Sequence, residues 1–163
     1  MIKVLFVCLG NICRSPLGEG IFRHLVTQAG LAPYFEIDSA GTGNWHIGQE
    51  PHHGSQRIAR ERGLDISDQR ARQIRPEDLM TYDYIVAMDS QNAADIRALD
   101  PEGRATARIV RMMEFAPERG TPDVPDPYFG GPEGFDLVYD MVQEACQAML
   151  DRIVSEHRIP TVS

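Results

Sequence analysis

Residues 2–7 read IKVLFV and run into Cys8-Leu9-Gly10-Asn11-Ile12-Cys13-Arg14-Ser15-Pro16. A short apolar run, rich in β-branched and aromatic residues and stopped at Gly10-Asn11, is the pattern of a buried strand. Ser15 then stands where a helix N-cap belongs, and Pro16 suits the first helical position. Ile21, Phe22, Leu25, Val26 and Ala29 recur at helical spacing, and Gly30 occupies the usual C′ glycine position. The chain therefore opens as strand, loop and helix, with residues 8–14 as the connection.

The same alternation continues. Residues 34–40 (YFEIDSA) predict a second strand, ended by Gly41-Thr42-Gly43. A helix is expected over 55–62, closed by Gly63, and a short one opening at Pro76 after the polar, Arg-rich stretch 67–75. Residues 83–88 (DYIVAM) predict a third strand, 90–99 a helix and 108–110 a short fourth strand. Phe135, Val138, Val142, Ala145, Met149 and Ile153 step by three or four residues, which makes a long helix with one apolar stripe. Strands alternating with helices imply an α/β fold: a small doubly wound, four-stranded parallel sheet with helices on both faces, in one domain over 1–163. Such sheets bind ligands beyond the carboxyl ends of their strands. The loop after the first strand is thus the expected site. Residues 120–134, rich in Pro, Gly and Asp, form a connection long enough to be functional.

Charge and cysteine content narrow the function classes. Lys and Arg number 16 against 24 Asp and Glu, a net charge of −8. That balance argues against a nucleic-acid partner and against docking on an anionic membrane. No apolar run approaches the roughly 18 residues needed to span a bilayer. Three cysteines cannot all pair within one chain, so a reducing, cytoplasmic setting is expected.

In the 8–14 connection, backbone N–H groups can turn inward as a nest, and the following helix adds its positive end. An oxyanion fits there, and the planar fork of Arg14 can grip two of its oxygens. The same field favours the thiolate of Cys8, a nucleophile beneath a bound phosphoryl group. Gly10 and Asn11 both tolerate positive φ, which a tight cradle often requires. A leaving oxygen needs a proton, and the long loop offers Asp123 and Asp126 as general acids. Pro127 restricts Asp126 to extended backbone.

Together these residues resemble the low-molecular-weight protein tyrosine phosphatases. The resemblance rests on Cys8 to Pro16 and Asp126-Pro127-Tyr128. It extends to Asp38-Ser39-Ala40-Gly41-Thr42, Ala71-Arg72-Gln73 and residues 82–89 (YDYIVAMD). It implies a flavodoxin-like fold and hydrolysis of phosphotyrosine through a phosphocysteine on Cys8. Arg14 would hold the phosphate, and Asp126 would serve as acid and then base. Leu9, Gly10, Asn11, Ile12, Cys13 and Ser15 would complete the substrate loop. Ser15 would ease departure of the thiolate, and Ser39 would support Asn11. Trp45 and Tyr128, beside Phe129, would sandwich the aromatic ring, and Cys13 would form a reversible disulfide with Cys8. No metal or cofactor is implied; His52 and His53 are read as surface residues. One departure is Gln69, where the family often carries a histidine bonded to the loop asparagine.

The resemblance implies phosphotyrosine proteins as partners, a tyrosine kinase among them, with the protein itself a monomer or weak dimer. An arsenate reductase would need two further cysteines near the third strand, and this chain has none between Cys13 and Cys146. A protein-arginine phosphatase typically has Thr where Ile12 stands. A phosphate-binding module or a nucleotide-binding flavodoxin-like protein would not need Cys8 together with Asp126.

Overall fold

A computed structural model describes residues 1–128 and 130–160. Phe129 lies outside the described residues. Four parallel strands form one sheet: β1 (Ile2–Cys8), β2 (Phe35–Gly41), β3 (Tyr84–Ala87) and β4 (Arg108–Arg111), in the order β2-β1-β3-β4. The helices are α1 (Arg14–Gln28), α2 (His53–Glu61), α3 (Asp78–Thr81), α4 (Ser90–Arg97) and α5 (Pro132–His157).

Alternation along β1 divides the core. Val4 and Phe6 face the layer of α1 and α5, where Phe22, Val138, Val142 and Met149 are buried. Leu5 and Val7 face the other layer, with Leu79, Ala93 and Ile96. Both faces of β1 are covered, so it reads as a continuous apolar run. From β1 the chain crosses to β2 on one side and then returns to β3 on the other. The loops after β1 and β3 diverge at that reversal, and the crevice between them opens over Cys8. Cys146 is fully buried in α5, as its place beside the apolar stripe predicts.

Two local expectations give way to tertiary contacts. Ser15 does not cap α1. The helix opens at Arg14 with Cys13 at the cap position and no side-chain cap. The Ser15 hydroxyl is instead taken by Cys8 and Asn11. Pro16 therefore sits third in the helix, where its missing N–H still costs nothing because first-turn donors have no intrahelical acceptor. In α2 the helix begins at His53, earlier than residue 55, because the His52 ring accepts a hydrogen bond from the Gly54 N–H. His52 is only half exposed and stacks on Phe135 at 4.9 Å, so it is not the plain surface residue expected; His53 is exposed.

Candidate active site

The loop from Cys8 to Arg14 is held from outside by its carbonyls. Those of Cys8 and Leu9 accept from the N–H groups of Thr42 and Gly43, and that of Ile12 from His52. The Cys13 carbonyl accepts from the Ser55 hydroxyl. No acceptor among the described residues meets the N–H groups of Gly10, Asn11, Ile12 or Cys13. Carbonyls outward and N–H groups inward make an anion nest at the positive end of α1. Asn11 turns the chain at φ +57. Gly41 permits the close pass of the loop: a Cβ there would lie 2.9 Å from the Leu9 carbonyl oxygen.

Beneath the loop runs a directed chain of hydrogen bonds. Asn11 Nδ2 donates to Ser15 Oγ at 2.7 Å and to Ser39 Oγ at 3.0 Å. Ser39 donates to Glu19 Oε1 at 2.7 Å. Since Ser15 accepts from Asn11, its own hydrogen has two acceptors in reach, Cys8 Sγ at 3.1 Å and the Ala40 carbonyl at 3.5 Å, and a thiolate at Cys8 makes the sulfur the stronger of the two. Asn11 Oδ1 accepts from the Arg72 N–H at 3.0 Å, which fixes the orientation of the amide. The donor set is therefore aimed, through Ser15, at the sulfur. Glu19 was not foreseen from sequence; only its position one helical turn after Ser15 hinted at it. Burial raises its carboxyl above the ordinary value, against the pull of Ser39 and Arg23. Gln69 takes no part in the chain. It donates to the Pro16 carbonyl at 3.1 Å, and the loop keeps its shape without it.

Arg14 is almost wholly buried. Its Nη1 donates to Asp89 Oδ2 at 2.6 Å and to the Val124 carbonyl at 3.0 Å. Its Nε meets no partner among the described residues. Burial opposes its charge, but Cys8, Asp89 and Asp126 outweigh that and raise its pKa. Asp89 closes the 82–89 segment that carries the resemblance, although the sequence assigned it no role; it also caps α4 through the Asn92 N–H. Asp126 Oδ2 stands 3.8 Å from Arg14 Nη2 across the mouth, and its Oδ1 accepts from the Tyr128 N–H at 3.1 Å. The alternative acid, Asp123, is committed elsewhere: it accepts from the N–H and hydroxyl of Ser90. Burial and the adjacent Cys8 push the Cys13 thiol up to about 12, so it stays protonated at neutral pH.

The pocket over this floor holds about 260 Å³. Cys8, Arg14 and Asp126 meet in it with Leu9, Gly10, Ile12, Cys13, Trp45 and Tyr128. Asn11, Ser15 and Ser39 lie below and do not line it. His46 does, beside Tyr128 at 6.1 Å between rings, although nothing in the sequence singled it out. No cluster of three His, Cys, Asp or Glu among the described residues could hold a metal ion.

A sulfur with an aimed donor, an inward-facing N–H nest, a buried guanidinium and a carboxylate across the mouth share one chemistry, phosphoryl transfer to sulfur. Fold and site thus define the class: a cysteine-dependent phosphomonoester phosphatase. The profile of the low molecular weight phosphotyrosine protein phosphatase family matches residues 3–159. The low molecular weight protein-tyrosine-phosphatase YfkJ of Bacillus subtilis is 42% identical over 98% of this chain and 100% of its own length. Its crystal structure superposes with a TM-score of 0.90, covering 96% of each chain. A protein tyrosine phosphatase from Entamoeba histolytica gives 0.90 at 34% identity, over 96% of this chain and 99% of that one. A structure described as DARP, drosophila arginine phosphatase, gives 0.88 at 33%, over 93% and 98%. The chain belongs to the low molecular weight phosphotyrosine protein phosphatase family.

Proposed function

We propose that this protein tyrosine phosphatase works through Cys8, Arg14 and Asp126. Cys8 Sγ attacks the phosphorus in line, while Arg14 and the loop N–H groups hold the equatorial oxygens. Asp126 gives its proton to the leaving tyrosine oxygen. It then takes a proton from the water that splits the phosphocysteine, and Cys8 leaves as the thiolate. The Ser15 hydroxyl stabilises that thiolate in both steps. The observation that carries this reading is the Ser15 hydroxyl beside Cys8 Sγ, held there by the Asn11 amide that donates to both Ser15 and Ser39, because a hydrogen bond to a charged thiolate is stronger than one to a neutral thiol.

The aromatic walls favour an aryl phosphate. Trp45 is 66% exposed and Tyr128 40% exposed at the rim, and phosphoserine is too short to carry phosphate to the floor between them. A protein-arginine phosphatase is the competing reading, given one structural neighbour so described; Ile12 in the pocket wall speaks for tyrosine. The substrates are taken to be phosphotyrosine proteins, a tyrosine kinase among them. Three unpaired cysteines support action in a reducing cytoplasm. No helix among the described residues is long and apolar enough to cross a membrane.

The test is hydrolysis of p-nitrophenyl phosphate near pH 5–6 with chelator present, beside a phosphoarginine peptide. Activity on the aryl phosphate that vanishes in Cys8→Ser is expected. Activity that survives Cys8→Ser, or that needs metal, overturns the mechanism; faster turnover of phosphoarginine overturns the substrate.

A further inference from the structure

A second, smaller groove opens on the far side of Trp45. It holds about 170 Å³, room for a single side chain, and Leu9 and Trp45 wall both it and the catalytic pocket. Thr42, Ile74, Asp95 and Leu99 complete it. Trp45 is the partition: a Cβ on Gly43 would lie 2.0 Å from its ring, so the indole lies against the Gly43 backbone. A peptide whose phosphotyrosine fills the main pocket and whose chain runs over the Trp45 side of the rim passes directly above this groove. We propose that the groove receives a lysine or arginine side chain next to the phosphotyrosine in the substrate protein. The inference rests on the phosphotyrosine reading above.

The chemistry of the walls selects the occupant. Leu9, Ile74, Leu99 and the Trp45 face suit an aliphatic stem. The polar groups present acceptors. Asp95 receives one hydrogen bond, from Gln91, and has no ion-pair partner among the described residues. Gln73 has its amide nitrogen engaged with the Thr42 carbonyl, which leaves its oxygen to accept. A plain aliphatic side chain would cover these groups without satisfying them. A glutamate would face Asp95 and a protein of net charge −8. A stem that ends in a cation fits both the walls and the acceptors.

The test uses phosphotyrosine peptides with Arg, Leu, Ala or Glu at each position flanking the phosphotyrosine. The readouts are kcat/KM with wild type and binding to Cys8→Ser. At one flanking position, Arg should exceed Glu by about tenfold in both readouts. Asp95→Asn should cut that to about twofold, and Asp95→Arg should reverse it. Turnover of p-nitrophenyl phosphate, which does not reach the groove, should stay unchanged in both variants. A flat ranking with normal p-nitrophenyl phosphate turnover overturns the subsite alone. A preference for Leu that Asp95→Asn leaves intact also overturns it. Wild type that neither turns over the aryl phosphate nor binds any phosphopeptide overturns both readings.

Discussion

Ser15→Ala separates the two things the Ser15 hydroxyl does. Its oxygen accepts from Asn11 at 2.7 Å, and its hydrogen faces Cys8 Sγ at 3.1 Å. A hydrogen bond to a charged group contributes about 1.5–3 kcal/mol. If the departing thiolate loses that much in the transition state for phosphocysteine breakdown, the step slows roughly 10–150-fold. Formation of the phosphocysteine suffers less, because a thiolate without its donor is also the stronger nucleophile. Breakdown should then limit turnover. Stopped-flow with p-nitrophenyl phosphate should show a burst of p-nitrophenol equal to the enzyme, followed by a slow steady rate. The same change leaves one N–H of the buried Asn11 amide without an acceptor, a loss of about 1–3 kcal/mol. For a chain of this length that lowers Tm by roughly 2–12 °C. Unchanged turnover with no burst would refute the aimed-donor argument, even in a variant with the expected Tm loss.

Three further outcomes are expected. Asp126→Asn should cut turnover of phenyl phosphate by about 10²–10³ and of p-nitrophenyl phosphate much less, since p-nitrophenolate leaves without a proton; equal losses would remove Asp126 as the acid. The native state holds the Glu19 proton more tightly than the unfolded chain, because burial raises its carboxyl. That contribution is full below the unfolded pKa and is lost as pH rises through the folded one. Urea unfolding should therefore find wild type losing stability relative to Glu19→Gln as pH rises past the ordinary carboxylate range; a pH-independent difference would contradict this. Peroxide should inactivate the enzyme through a Cys8 sulfenic acid that condenses with Cys13, and thiol should restore activity. Mass spectrometry that finds only Cys8 sulfinic acid would sink that pairing.

The sheet and the catalytic loop were legible because their signals are local. The apolar run of β1, the Gly30 stop at φ +74 and the stripe of α5 each follow from neighbours in sequence. What the sequence hid depends on partners far along the chain. Asp89 lies 75 residues from Arg14 yet holds its Nη1, and Glu19 stands behind Ser39 on another element. Ser15 shows the conflict plainly. Local rules make it a helix cap, but Cys8 and Asn11 claim its oxygen in the folded chain. His52 is the reverse case, an imidazole doing the capping that a Ser or Asp would ordinarily signal.

The proposed mechanism requires a phosphoryl group carried on Cys8. Rapid quench of the enzyme turning over a phosphotyrosine peptide, followed by fragmentation mass spectrometry of the peptide spanning Cys8 and Cys13, tests it directly. A phosphoryl group is expected on Cys8 and none on Cys13, with more of it accumulating in Ser15→Ala. Turnover with no phosphorylated cysteine, or with the group on Cys13, would contradict it.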